Sequence, residues 1–175
     1  MDLLILDSSH SAEWFKTIVV ASYPHLFYLK DSKNPQATYR ILWYGQRDFG
    51  PQCKIDILVP GTLHLPLLSQ SHISWISGFP LVPFSLLLLH KLQGWTDHRD
   101  ALENFKRQKQ HMDAADVRRL MQLDPVVGLG SSRPWEDKEL FDEEFQRLSK
   151  ERVKLYCETF PDRAEGWELL GFQTS

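Results

Sequence analysis

The chain has 175 residues, 42% of them hydrophobic and 12% aromatic, which is enough for one packed core and too little for two ordinary domains. Twenty Lys and Arg against 23 Asp and Glu leave a formal net charge of -3, so no large positive field draws the whole molecule to nucleic acid or anionic lipid. Charged residues at 25%, with no long Gly, Ser, Gln or Pro tract, exclude wholesale disorder. In chain order, Leu3 to Leu6 is a short apolar run that ends at Asp7-Ser8-Ser9, a cluster of turn and cap residues, and it predicts a buried strand. Ser11 followed by 13–21, with Trp14, Ile18 and Ala21 on one face, predicts an amphipathic helix that stops before Pro24. Leu26 to Leu29 comes next, then a loop from Asp31 to Gln36 holding Asn34-Pro35. Thr38 to Tyr44 is β-branched and aromatic, and a turn over Gln46 to Pro51 separates it from Cys53 to Val59, so the two runs most simply form a hairpin.

After Pro60-Gly61 the pattern turns helical. Phe84 to Trp95 is dense in leucine on nearly every face and predicts a deeply buried helix. Thr96 to Lys109 is charged and reads as a surface excursion, and Asp113 stands in a cap position before a helix over 114–121. Gly128, Gly130, Ser131 and Ser132 read as a linker, and Pro134 suits a first helical turn. From Trp135 onward Phe141, Phe145, Leu148, Leu155, Tyr156 and Phe160 recur at helical spacing up to Pro161, with a last short turn over Trp167 to Leu170. Strands first and helices second is the order of an α+β chain: a small mixed β-sheet within 1–60 and a mainly helical part within 61–175, as one domain over 1–175. Two distant cysteines, Cys53 and Cys157, exclude a disulfide framework and fit a reducing compartment. An acid at Asp2 where a secretory signal needs bases, and an apolar run over Phe79 to Leu89 broken by Pro80 and Pro83, point to a cytoplasmic or nuclear protein without a membrane partner.

The chemistry-bearing residues are few. Asp56 is a carboxylate inside a strand whose neighbours Ile55, Ile57 and Leu58 are apolar, so it faces solvent, a cation or a donor. The wet face of an antiparallel sheet explains it without function. Asp2 opens the other apolar strand, and two carboxylates on neighbouring strands can hold Mg²⁺ through oxygen ligands.

The joint order of Asp-Leu-Leu-Ile-Leu from Asp2, a helix, two strands and Lys-Ile-Asp-Ile-Leu-Val-Pro-Gly from Lys54 resembles the nucleotidyltransferase fold of the DNA polymerase beta superfamily, especially its small fungal members. Gly78 to Phe84, the run Leu86 to Leu92 and Lys109 to Asp116 are similar to the region that follows the core in antitoxin-type, AbiEii-like nucleotidyltransferases, so the resemblance covers about residues 1–123. It implies a protein that binds Mg²⁺ with ATP or another nucleoside triphosphate and transfers a nucleotidyl group to a hydroxyl of an unspecified acceptor. By position Asp2 matches the second acid of the family's Asp-x-Asp pair and Asp56 the third acid, which makes both metal ligands and catalytic residues, and Lys91 falls near the nucleotide phosphates. The family's Gly-Ser turn and first acid have no counterpart, because Met1 stands directly before Asp2. The expectation therefore divides between a start placed late and a catalytically impaired remnant, since a two-metal site needs its full set of carboxylates. The rival function, from a different class, is an inactive binding or regulatory module acting through its helices.

Other features carry two readings each. Lys91, in an apolar helix, contacts phosphate or pairs with an acid such as Asp116. Asp113 and Asp116 share a helical face, which an N-cap and a helix-start charge already explain. His90, His98 and His111 with Asp97, Asp100 and Asp113 lack the i, i+4 spacing of helical zinc motifs, so solvated surface histidines are the better expectation. Lys106 to His111, beside Phe105, is a basic patch that touches RNA or is a plain solvated face. The tail from Glu136 to Phe160 packs back on the core or binds a protein partner. If the first strand, Leu3 to Leu6, lacks a neighbour on one side, its edge offers a third route, pairing with itself or with another chain.

Overall fold

The structure, a computed structural model, describes residues 1–32, 37–45 and 50–175. The Asn34-Pro35 loop and the centre of the turn over Gln46 to Pro51 lie outside the described residues. The chain divides into two compact units, Met1–Leu67 and Leu68–Ser175.

The first unit is a mixed sheet with one helix. β1 (Asp2–Leu4), α1 (Ala12–Ser22), β2 (Phe27–Asp31), β3 (Arg40–Tyr44) and β4 (Cys53–Leu58) follow in chain order, and the strands lie in the order β1-β4-β3-β2. The expected hairpin is β3 with β4, antiparallel, pairing Leu42 with Ile55. β2 extends it antiparallel on one side, and β1 joins β4 in parallel on the other. Because side chains alternate across a strand, this register gathers Leu42, Ile55 and Ile57 on one face, where α1 covers them with Ala12, Phe15, Val19 and Val20. Each such side chain taken out of water contributes roughly 1.5–3 kcal/mol.

The helix starts where its cap residue directs: the Ser11 hydroxyl accepts from the Trp14 N–H at 3.2 Å. Its inward stripe is Phe15 and Val19, whereas Trp14 and Ile18, grouped by the sequence pattern as one apolar face, are exposed. Trp14 stacks on His10, with ring centroids 3.8 Å apart. Two apolar stripes compete on α1, and periodicity alone does not say which one meets the sheet.

The second unit is helical apart from a two-stranded hairpin that the sequence reading lacked, β5 (Ser74–Ile76) and β6 (Phe79–Leu81). α2 (Phe84–Arg99) is the buried leucine-rich helix, a turn longer than its pattern, with Leu86, Leu88, Leu89, Leu92 and Trp95 all inside. α3 (Asn104–Arg107) is one turn within the charged excursion. α4 (Gln110–Leu120) packs on α2. Asp113 lies inside the first turn of α4 rather than at its cap, because Lys109 holds the cap position and the Asp113 carboxylate is engaged by His98.

The stretch read as a linker is α5 (Pro125–Ser132), opened by a proline whose missing N–H costs nothing at a first helical turn. α6 (Glu143–Thr159) begins at Asp142, which accepts from the Phe145 N–H at 2.6 Å, so the helical spacing from Trp135 does not continue unbroken. Instead Pro134–Glu136 forms a separate 3-10 turn. α6 buries Phe145, Val153, Tyr156 and Cys157 and packs on α2, and α7 (Ala164–Leu169) adds the fully buried Trp167. No helix among the described residues is long and apolar enough to cross a membrane.

Candidate functional site

The parallel pairing of β1 and β4 sets Asp2 opposite Asp56, Leu3 opposite Ile57 and Leu4 opposite Leu58. Registered neighbours in a sheet point to the same side, and adjacent strands run about 4.8 Å apart. Asp2 and Asp56 therefore share the face opposite the one that α1 covers. The ladder that fixes this register includes the Asp56 N–H donating to the Met1 carbonyl and the Ile5 N–H donating to the Leu58 carbonyl, both at 2.9 Å. Lys54, Trp43 and Tyr28 belong to the same face by alternation and register. The Lys54 ammonium donates to Asp56 Oδ2 at 2.7 Å, and both side chains are about half exposed. Further along, the Lys30 ammonium lies 5.2 Å from the centroid of the Tyr28 ring and 5.0 Å from that of Trp43.

A pair of carboxylates from two strands matches what Mg²⁺ asks of a protein: one or two carboxylate oxygens, with water and substrate phosphates completing the octahedron. Asp56 Oδ2 holds Lys54, and Asp2 is exposed to solvent. The two carboxylates supply the kind and number of protein oxygens that a single Mg²⁺ takes. Among the described residues no group of three or more His, Cys, Asp and Glu side chains could hold a metal ion.

The remaining sequence candidates lie in the second unit. Lys91 donates to Asp116 Oδ2 at 3.3 Å, and Arg119 donates to the other oxygen of that carboxylate at 3.2 Å, so the acid partner named from sequence is the one Lys91 holds. Both ends of the Lys91–Asp116 pair are about one third exposed, where an ion pair is worth at most about 1 kcal/mol. The three histidines are dispersed: His90 stacks on Phe145 at 4.8 Å, His98 bonds Asp113 through Nδ1, and His111 is exposed. In the basic patch the Lys106 ammonium is bound to Glu103 at 2.7 Å, so part of its charge is answered within the chain.

Sequence reasoning missed a buried cation in the first unit. Lys16 on α1 is 7% exposed and donates to Glu13 Oε1 at 2.7 Å and to the Arg40 carbonyl at 2.6 Å. Burial pushes the Glu13 carboxyl up, but the Lys16 hydrogen bond and charge, with Arg40, outweigh it and hold Glu13 below the usual range. The available signal was the i, i+3 pair Glu13 and Lys16 on an otherwise apolar helix. Comparison of the chain with protein-family models, with curated proteins and with solved structures finds no match.

Proposed function

We propose that the first unit binds a nucleoside triphosphate with Mg²⁺, as a nucleotidyltransferase-like module in which Asp2 and Asp56 share the metal. The observation that carries this reading is the side-by-side register of the two carboxylates on adjacent parallel strands, on the face opposite α1. Lys54, already on Asp56, is a cation that can move from carboxylate to phosphate when Mg²⁺ enters, keeping the local charge balanced. If the module transfers, the group that passes to an acceptor hydroxyl is the nucleotidyl group, with the metal neutralising charge on the phosphates.

The second reading, a module that binds without catalysis, is favoured by the Lys54–Asp56 pair itself, which gives one of the two acids a counter-charge with no metal at all. Thermal melts distinguish the readings from a chain that binds no nucleotide. Mg²⁺ with ATP at ten times its Kd stabilises a native state by about 1.4 kcal/mol, and Asp56→Asn and Asp2→Asn should each remove that shift while leaving the apo melt within a few degrees. No shift at millimolar nucleotide, or a shift indifferent to both substitutions, sinks the proposal. Release of pyrophosphate with a panel of hydroxyl acceptors then separates transfer from binding.

A further inference from the structure

We infer that the β5–β6 hairpin is a self-association surface, and that its occupant is the same hairpin of a second copy of this chain. All six of its strand residues are exposed. Trp75 is 68% exposed, Ile76 57%, Phe79 71% and Leu81 44%. An isolated two-stranded hairpin is marginal in water, so one that presents its large side chains to solvent lacks the packing that normally holds such a unit. Together these four side chains leave roughly 500 Å² of apolar surface on each chain, with Trp75 on one face of the hairpin and Ile76, Phe79 and Leu81 on the other, because side chains alternate along a strand.

Charge selects the partner. Residues 68–90 contain no Asp, Glu, Lys or Arg, in a chain where a quarter of the residues are charged. A two-fold interface sets each residue near its own copy, and like charges there repel. An uncharged patch is therefore suited to meet itself. The stretch itself brings no Asp, Glu, Lys or Arg to attract a charged partner or anionic lipid headgroups.

Backbone geometry selects the edge. Ser77 (φ 51) and Gly78 (φ 80) are both left-handed, which is the two-residue turn whose twist suits a hairpin. Such a turn is closed by a hydrogen-bonded pair, here Ile76 with Phe79. The next pair, Trp75 with Pro80, then falls at a site without ladder bonds and turns its backbone groups outward. On β6 the outward position is a proline, which has no N–H and blunts that edge. On β5 it is Trp75, whose N–H and carbonyl point to the open side. Two β5 strands paired antiparallel about a two-fold axis through Trp75 exchange both bonds, make one four-stranded sheet and set the two indoles directly opposite each other.

Sedimentation velocity of the full chain over a concentration series tests this. The expected result is a reversible monomer–dimer equilibrium in the micromolar range. Trp75→Lys and Trp75→Glu should each weaken it by tenfold or more, and mixing the two variants should restore a heterodimer, because the opposed residues then carry opposite charges. That rescue also shows that both variants are folded. Leu102→Glu, at an exposed residue outside the hairpin, should leave the dimer unchanged. A monomer at all soluble concentrations, a dimer indifferent to Trp75, or binding to neutral phosphatidylcholine vesicles by a chain that stays monomeric would each overturn the inference.

Discussion

Two glycines in α5 should respond to alanine in opposite directions. A Cβ built on Gly130 would lie 2.6 Å from the Leu169 carbonyl oxygen and 3.6 Å from its carbon, inside the contact distance that real Cβ atoms keep. The obstacle is backbone, not the end of a flexible side chain, so α5 and the end of α7 must move apart. That movement disturbs the sites of Trp167, which is fully buried, and Leu170, which is 2% exposed. Gly128, two residues earlier in the same helix, would place its Cβ in open space. Alanine in a helix is favoured over glycine by about 0.8–1 kcal/mol, and overpacking costs typically 1–3 kcal/mol. Gly128→Ala is therefore expected to stabilise the second unit by about 0.5–1 kcal/mol. Gly130→Ala should destabilise it by about 1–2 kcal/mol. Thermal melts followed by far-ultraviolet circular dichroism measure both, and at roughly 4 °C per kcal/mol the variants should differ by about 10 °C in Tm. Equal stabilities, or a Gly130→Ala variant above wild type, would refute the close approach of the Leu169 carbonyl to α5.

Burial, helped by the charge of Glu168, pushes the Cys157 thiol from an ordinary 9.0 up to about 11, and burial likewise raises Tyr156 against the opposing effect of Arg163. Above about pH 9 the unfolded chain releases these protons first, so stability falls between about pH 9 and 11; Cys157→Ala should flatten that decline. At mildly alkaline pH, mass spectrometry should find iodoacetamide on the exposed Cys53 and none on Cys157 until the second unit is unfolded. Asp142→Ala removes the acceptor for the Phe145 N–H and should cost about 1 kcal/mol in a urea melt.

How far the residues announce this structure differs from element to element. Alternation in Thr38 to Tyr44 and Cys53 to Val59 specifies β3 and β4, because a one-residue slip would expose Leu42 and Ile55 together. Asp2 and Asp56 could be named as a pair, yet their exact opposition depends on the register of a three-residue parallel strand, which no local pattern encodes. The Lys91 partner was legible because a lysine in an apolar helix needs an acid, and Asp116 lies a helix away. α5 was not, since Gly128 and Gly130 lower helix propensity and its second glycine answers a tertiary contact with Leu169. The hairpin hid behind Pro80, a residue that argues against strands except at an edge, and the Ser77-Gly78 dipeptide was its one local sign. The split into two units is equally invisible to composition, which counts apolar residues without saying which of them meet.

The parallel docking of β1 also has a kinetic side. Asp2 and Asp56 meet only after the intervening chain has closed into a loop, at an entropic cost of about 3–4 kcal/mol, and β1 repays it with three residues on one flank of the sheet. Such a strand is expected to join late during folding and to open first afterwards, so its amides should exchange with solvent faster than those of β3 and β4. Any ligand that bridges the two carboxylates draws on the same equilibrium. Its measured affinity is the intrinsic one scaled by the fraction of molecules with β1 in place, and its occupancy in turn acts as a latch on the strand.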